Sequence, residues 1–233
     1  MKTALVLTGH LRTFFSNYPF FEENVIKRYK PDIYMDLWDT FGYWDDNDDL
    51  GFKKESELID IISIKNKLDN LVYLNVENYS DKRYEFEQRA KQFERIKVVY
   101  PSGGTARPIN VISMWFKRYQ AIQNIQYEYD KVILTRPDIR ISEPVNLGSP
   151  LLELCNSHND SSRGFADIYF AGSLKQIQKV VEVYNNFEIM IFESNEFCGH
   201  SAIKWWLNRI NIPFDVIRYN MSLFNTPEGY CKK

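Results

Sequence analysis

The sequence predicts an α/β fold, namely a three-layer α/β/α sandwich around a mostly parallel central sheet. One observation is that short, continuous apolar runs such as residues 3–8 and 132–134 suit strands that are buried on both faces. A second observation is that these runs alternate with longer segments whose apolar residues recur at spacings of three and four, as they do in amphipathic helices. Such alternation is typical of layered α/β domains.

In the first half of the chain, each predicted element has its own signal. The apolar run at 3–8 ends at a glycine and is the first strand. The phenylalanine-rich segment 14–29 predicts a helix that stops before Pro31, since the residue before a proline disfavours the helical conformation, and residues 32–38 predict the second strand. A stripe of apolar residues at helical spacing predicts a helix over 55–68. The remaining predictions are a strand at 71–76 and a charged, solvent-facing helix at 80–95.

The second half is less regular. Asn110 is the predicted cap of a helix whose apolar stripe includes Trp115 and Ile122. The apolar residues before Pro137 predict a central strand within 129–141, and the proline indicates where the chain leaves the ladder. Further strands are predicted at 165–171 and 214–219, and further helices at 174–187 and 201–209.

Length, charge and cysteine content limit what the chain can be. With 233 residues it exceeds one average domain and falls short of two, so we expect a single domain over 1–233. Lysine plus arginine (29) nearly balance aspartate plus glutamate (31), and a net charge of −2 provides no broad field for nucleic acid or an anionic membrane. No stretch approaches the roughly 20 apolar residues of a membrane span. Three widely separated cysteines and the lack of a signal peptide favour a cytoplasmic protein with reduced thiols.

The end of the predicted central strand carries a charged pattern. If the backbone stays extended there, Arg136, Asp138 and Arg140 lie on one side of it. Two guanidinium groups would then flank one carboxylate. Arginine binds phosphate oxygens bidentately, and a carboxylate can hold a cation or orient an arginine, so the pattern suits a diphosphate. The alternative is a structural ion-pair cluster.

The loop after the first strand is a second candidate for anion binding. Gly9 permits close approach of the backbone to a ligand, and His10 and Arg12 can donate hydrogen bonds. Neither the glycine pattern of dinucleotide-binding folds nor that of P-loops is present. An ordinary turn between strand and helix explains the residues equally well.

These segments together resemble a known family. A first strand followed by TGHLR (residues 8–12), a later helix with Ser113 and Lys117, and the stretch YDKVILTRPDIRI are similar to the small glycosyltransferases of GT-A type. Such enzymes are found in bacterial polysaccharide loci and in large DNA viruses that glycosylate their capsids. The resemblance implies a GT-A-like fold that transfers a sugar from a nucleotide-sugar donor to a glycan or another hydroxyl acceptor.

The resemblance also implies roles for particular regions. Residues 1–141 would bind the nucleotide and residues 142–233 the acceptor. The turn after the first strand would contact the nucleotide, with Trp38 near the base or ribose and Lys117 directed toward the diphosphate. The alternatives are that Trp38 belongs to the core and that Lys117 is a solvated lysine.

A divalent metal is implied only in part. In the GT-A superfamily, an Asp-x-Asp motif at a strand end holds a divalent cation, Mn²⁺ or Mg²⁺, on the donor diphosphate. The corresponding stretch here, Asp138-Ile139-Arg140, is one carboxylate short. Asp138 is therefore the candidate metal ligand, while Arg140 offers direct neutralisation of the diphosphate instead.

Two carboxylates are candidates for the catalytic base. Transfer with inversion requires a carboxylate that takes the proton of the acceptor hydroxyl, whereas retention requires another mechanism, and the sequence does not distinguish them. Asp167 in GFADIYFAGS resembles the family's acceptor-side aspartate, and Glu196, just before an apolar helix, resembles its late glutamate. Each residue is equally suited to capping a helix.

Two other functions are compatible with this sequence. A sugar nucleotidyltransferase has a similar sheet, but it usually needs a glycine-rich basic loop, and residues 9–12 contain a single glycine. A non-catalytic carbohydrate- or protein-binding module would use exposed aromatic side chains, and the content of 15 Tyr and 16 Phe permits this.

Overall fold

The computed structural model describes residues 1–42, 58–93, 108–155, 165–194, 199–217 and 221–223. Its strands are β1 (Thr3–Gly9), β2 (Asp32–Trp38), β3 (Leu71–Glu77), β4 (Lys131–Thr135), β5 (Ile139–Ile141), β6 (Leu152–Cys155), β7 (Tyr169–Gly172), β8 (Phe214–Ile217) and β9 (Met221–Leu223). Its α-helices are α1 (Phe14–Phe21), α2 (Lys27–Tyr29), α3 (Ile61–Lys67), α4 (Tyr79–Lys91), α5 (Pro108–Gln123), α6 (Leu174–Val181), α7 (Phe187–Ser194) and α8 (Gly199–Ile210).

Within these ranges, seven strands form one sheet in the order β3-β2-β1-β4-β7-β6-β8. The first four are parallel, with Leu5 of β1 opposite Ile33 of β2 on one side and opposite Ile133 of β4 on the other. β7 runs antiparallel to β4 and to β6, and β8 is parallel to β6. The predicted α/β sandwich with a mostly parallel sheet is confirmed.

The sheet separates two apolar cores. Along β1, Ala4 and Val6 face the core formed with α4, α5, α6 and α8, whereas Leu5 and Leu7 face the core formed with α1 and α3. All four side chains are almost completely buried. The continuous apolar run in the sequence therefore reflects a strand that is covered on both faces, as predicted.

The connection order places a topological switch point between β1 and β4. After β1 the chain moves to β2 and β3 on one side, and it returns to β4 on the other side of β1. In open α/β sheets, ligands bind in the crevice outside the carboxyl ends of the strands at such a point. The loops after Gly9 and after Thr135 are the ones that border this crevice.

Most predicted elements are present, and the helix over 14–29 contains a π-helical turn at Glu22–Ile26. It ends at Lys30, whose φ of 46° is left-handed. The cap predicted at Asn110 is wrong, because α5 begins at Pro108, a residue suited to the first helical turn. The helix predicted over 174–187 is divided by a 3-10 turn at Glu182–Asn186.

The central strand predicted within 129–141 is shorter than that range, and the extended backbone considered for residues 136–140 is wrong. β4 ends at Thr135, the chain turns at Pro137 and Asp138, and β5 then pairs with β9 in a separate two-stranded sheet. Pro137 has no N–H to donate to the ladder, which explains the break. Strands β6 and β9 were not predicted, and residues 55–57, 94–95 and 218–219 of other predicted elements lie outside the described ranges.

Candidate site at the switch point

The loop after β1 has an unusual backbone. Gly9 has a φ of 103° and Arg12 a φ of 42°, and the Arg12 amide donates a 3.0 Å hydrogen bond to the carbonyl of Phe41. A left-handed conformation is costly for a residue with a side chain, so this turn is held by its surroundings. A Cβ added at Gly9 would meet no heavy atom within 4 Å, so the space beside the backbone there is open.

Arg12 and Arg136 converge on Asp138, and we call these three residues the arginine cluster. Arg12 Nη1 lies 2.9 Å from Asp138 Oδ2, and Arg136 contributes a bidentate pair, with Nε 2.8 Å from Oδ1 and Nη2 2.6 Å from Oδ2. Asp138 is 1% exposed, whereas the arginine side chains retain 20% and 19% exposure. The cluster therefore joins the loops after β1 and β4 and reaches solvent through its cations.

Asp138 stays ionised within this cluster. Burial raises the pKa of the carboxyl group, but the charges and hydrogen bonds of Arg136 and Arg12 outweigh burial and lower the pKa to about 2. The carboxylate is thus an internal anchor that fixes both guanidinium groups. An arginine oriented in this way loses less side-chain entropy when it binds a phosphate.

Arg140 does not occupy the predicted place beside Asp138. Because the chain turns at Pro137 and Asp138, the premise of an extended backbone fails, and Arg140 in β5 lies over the ring of Phe20 at 3.7 Å. The second guanidinium at the carboxylate comes instead from Arg12, which lies 126 positions away in the sequence. The pattern of two arginines around one carboxylate is correct, but one partner differs.

The surroundings of Asp138 do not suit a divalent cation. Both carboxylate oxygens already accept hydrogen bonds from guanidinium groups, which a metal ion would have to displace or approach. Across the described ranges, no group of three or more His, Cys, Asp or Glu side chains is arranged to hold a metal. The donor set therefore does not fit the Mn²⁺ or Mg²⁺ that the resemblance implies.

His10 lies in the same loop as a neutral imidazole. Its pKa is lowered to about 3, chiefly by burial and by the charge of Arg12. Nδ1 lies 3.2 Å from the carbonyl oxygen of Thr40, and since a carbonyl only accepts, the proton belongs on Nδ1. Nε2 is then a hydrogen-bond acceptor rather than the donor considered from the sequence.

Trp38, at the end of β2, belongs to the core. It is 1% exposed and stacks on Phe116 with ring centroids 6.1 Å apart. Tyr79 and Phe86 contact the Trp38 ring edge-on. The core alternative accounts for this residue, and a direct contact with a base or ribose stays a prediction.

Lys117 lies between two carboxylates, and we call Asp36, Lys117 and Glu77 the lysine network. Lys117 is fully buried, and its Nζ is 2.6 Å from Asp36 Oδ1 and also donates to Glu77. Gln120 offers a third acceptor at 3.4 Å. The solvated alternative is therefore wrong, and the predicted contact between Lys117 and a diphosphate would compete with two carboxylates.

Asp167, the first candidate base, pairs with His200. Its Oδ1 lies 3.4 Å from His200 Nε2, and a Cβ added to Gly199 would lie 2.3 Å from Asp167 Oδ2, so a side chain there would displace the carboxylate. Burial raises the pKa of Asp167, but the His200 hydrogen bond and nearby arginine charges lower it further than burial raises it. Burial lowers the pKa of His200, and Asp167 raises it above the usual value. Glu196, the other candidate, lies outside the described residues.

Sequence reasoning missed Arg118, a fully buried cation of α5. Its guanidinium lies 4.5 Å from the ring of Trp115 and donates from Nη2 to the carbonyl of Asp167. The available signal was its position, three residues after Trp115 and four before Ile122, which places a charge within the apolar stripe. Asp36 and Glu77 were missed as well, because no pattern within β2 or β3 indicates that both residues contact Lys117 on α5.

Comparison with known proteins adds no family assignment. Neither a scan against protein-family models nor a search of curated protein sequences gave a match. Among the helices of the described ranges, none combines the length and hydropathy that crossing a bilayer demands.

Proposed function

We propose that this chain is a nucleotide-sugar glycosyltransferase that transfers a sugar to a hydroxyl group of a glycan or similar acceptor. The observation that supports this most strongly is the meeting of Arg12 and Arg136 at the switch point, beside the open backbone at Gly9. Phosphate groups of nucleotides bind where strand ends and backbone amides border such a crevice. The resemblance of residues 8–12 and of the β4 stretch to GT-A enzymes supports the same assignment.

The arginine cluster suits the departing nucleoside diphosphate. When the bond between the sugar anomeric carbon and the diphosphate breaks, the bonding electrons move to the diphosphate oxygen, and two fixed guanidinium groups stabilise the added charge. Asp138 accepts one hydrogen bond from Arg12 and two from Arg136, which fixes both guanidinium groups at the place proposed for the diphosphate. Because the donor set does not fit a metal, neutralisation rests on Arg12 and Arg136.

The acceptor is proposed to bind near Asp167, in the second half of the chain. An acceptor hydroxyl that attacks the anomeric carbon must lose its proton, and Asp167 or Glu196 is the proposed base. Asp167 is ionised and held by His200, and the same hydrogen bond and charges that lower its pKa also lower its basicity, which favours Glu196 as the base. Parallel variants Asp167→Asn and Glu196→Gln separate the two, since loss of turnover with retained donor binding marks the base.

Product analysis with a panel of donors tests the proposal. The full chain is incubated with UDP-, GDP- and dTDP-sugars, with and without Mn²⁺, and nucleoside diphosphate release is measured. We expect release from one nucleotide series, and release about 5- to 100-fold slower, on the order of 1–3 kcal/mol of lost stabilisation, in Arg136→Gln. Lys27→Met, which alters an exposed lysine of α2, is the matched control and keeps full activity.

Other outcomes would replace the proposal with one of its alternatives. Release of pyrophosphate from a nucleoside triphosphate and a sugar phosphate would identify a nucleotidyltransferase. Binding of glycans with no turnover of any donor would identify a binding module.

A further inference from the structure

Arg118 is a buried cation whose hydrogen-bonding capacity is mostly unused. Its side chain has no solvent exposure, and the hydrogen bond that it donates goes to a neutral group, the backbone carbonyl of Asp167. Nε and Nη1 are also buried, and neither has a hydrogen-bond partner among the described residues. Buried polar groups in proteins are almost always paired, and an unpaired donor on a charged group is especially unfavourable.

The guanidinium is nevertheless held firmly in place. It lies over the ring of Trp115 at 4.5 Å and near that of Phe170 at 5.7 Å, so both rings fix its plane. The protein surroundings disfavour its charge, since burial lowers the pKa of Arg118 to about 10 and Asp167 restores it only in part. A guanidinium group that is fixed, charged and incompletely hydrogen-bonded is preorganised to bind an anion.

Three charged groups of the described residues act on Arg118, one cation and two carboxylates. Arg136 repels it, while Asp138 and Asp167 are the carboxylates that act on it, and both already have partners of their own. The side chains of Arg136 and His200 each keep 19% exposure, so this group of charges extends to the molecular surface. A further anion would relieve the repulsion between Arg118 and Arg136.

We propose that Arg118 binds an anionic group of a substrate, a phosphoryl or carboxylate group that accepts hydrogen bonds from Nε and Nη1. The inference deepens the proposed function and rests on it in one respect, namely that the anion belongs to a donor or an acceptor of the transfer. The anion comes either from the donor diphosphate or from an acidic acceptor, and the same N–H groups serve both. Arg118 contacts Asp167, one of the proposed bases, and is within electrostatic range of Arg136 and Asp138 of the arginine cluster.

Anion-dependent thermal stability tests this site with inorganic phosphate and acetate as probes. Melting temperatures of the full chain are measured at constant ionic strength, with chloride as the reference anion. We expect phosphate at several times its Kd to raise the melting temperature of the wild type by roughly 2–4 °C. Arg118→Met should show no such rise and should be at least as stable as the wild type without phosphate, since it removes an unpaired buried charge.

Two further variants make the result specific. Arg118→Lys keeps the charge but offers fewer fixed donors, so its phosphate affinity should fall by about tenfold or more. Arg83→Met alters an exposed arginine of α4 and should respond to phosphate as the wild type does. An equal phosphate response in the wild type, Arg118→Met and Arg118→Lys would overturn the proposal, as would a phosphate-free loss of stability in Arg118→Met larger than that in Arg83→Met.

Titrating phosphate in the presence of a bound nucleoside diphosphate identifies the source of the anion. Competition assigns the group at Arg118 to the donor, and additive stabilisation assigns it to the acceptor. If no nucleotide binds but phosphate stabilises the chain through Arg118, the proposed function fails and the anion site stands. If a nucleotide binds equally well to the wild type and Arg118→Met, and phosphate binds to neither, the proposed function stands and the anion site at Arg118 fails.

Discussion

The lysine network and the arginine cluster lie at the same edge of one sheet, but their cations differ in burial and in the number of counter-charges around them. Lys117 is fully buried and has two carboxylates and an amide oxygen around its Nζ. Arg12 and Arg136 share one carboxylate, Asp138, and keep about a fifth of their side chains exposed.

This difference separates a structural role from a binding role. A cation that is enclosed by its own counter-charges has no capacity left for a ligand, and it joins α5 to β2 and β3. Cations that keep part of their side chains exposed to solvent can bind a further anion. Substitutions in the lysine network should therefore change stability, whereas those of exposed cations in the arginine cluster should change binding.

Lys117→Met should have the largest effect on stability. It leaves Asp36 buried without its cation, and breaking a buried ion pair from one side costs about 3–5 kcal/mol. Urea denaturation measures the loss. Lys27→Met, in an exposed pair with Glu23, should stay within about 0.5 kcal/mol of the wild type. A Lys117→Met protein of normal stability that no longer binds nucleotide would instead place Lys117 on the diphosphate.

Asp138→Asn should come next, with a loss of about 1–3 kcal/mol, since the partly exposed arginines lose their shared anion. The pH dependence follows from the pKa of Asp138, which is about 2 in the folded chain against 3.8 ordinarily. A lowered folded pKa stabilises the chain above pH 3.8, and this contribution is lost as the pH falls toward 2. Denaturation at pH 5 and near pH 2.5 should show a smaller difference between wild type and variant at the lower pH. A difference that is the same at both would contradict the ion pairing.

His200→Asn should have a moderate effect of about 0.5–1.5 kcal/mol and the opposite pH dependence. The folded pKa of His200 is raised above 6.5, so its stabilisation is complete below pH 6.5 and is lost as the pH rises through the raised value. Asp167 has a lowered pKa and stays ionised throughout this range. The difference in melting temperature between wild type and variant should shrink from pH 5.5 to pH 9. A difference in melting temperature that grows with pH would contradict the ion pair between His200 and Asp167.

Arg140→Lys should have the smallest effect. Arg140 lies over Phe20, so the change weakens one cation–π contact by about 0.5–1 kcal/mol. Nucleotide affinity, measured by calorimetry, should stay within about twofold of the wild type. A loss of tenfold or more would put Arg140 at the diphosphate, where the sequence pattern had placed it.

The longer strands and most helices were predictable because their signals are local. β2 begins and ends at the predicted residues, since Pro31 precedes it and a mostly apolar segment follows. The break at Pro137 was indicated by the proline, but its consequence for Arg140 depended on β9, which lies far along the chain. Short strands such as β6 leave too few residues for a periodic signal.

The site was predictable only in its residue types. Asp138 and Arg136 were expected together because they are two positions apart, whereas the Arg12 contact spans 126 positions and needs the order of strands in the sheet. Lys117 was expected to meet an anion and does so, but the anions are Asp36 and Glu77. Charges that are distant in the sequence are brought together by the tertiary fold, and local sequence patterns do not show which of them will pair.

Calorimetric titration of UDP, GDP and dTDP into the wild type and Arg136→Gln tests the central claim most directly. If the arginine cluster is a diphosphate site, one nucleotide series binds the wild type saturably without added metal. It should bind the variant about 10- to 100-fold more weakly, as expected for the loss of charge-assisted hydrogen bonds. Equal affinity for both proteins, or no binding of any nucleotide to the wild type, would contradict the account.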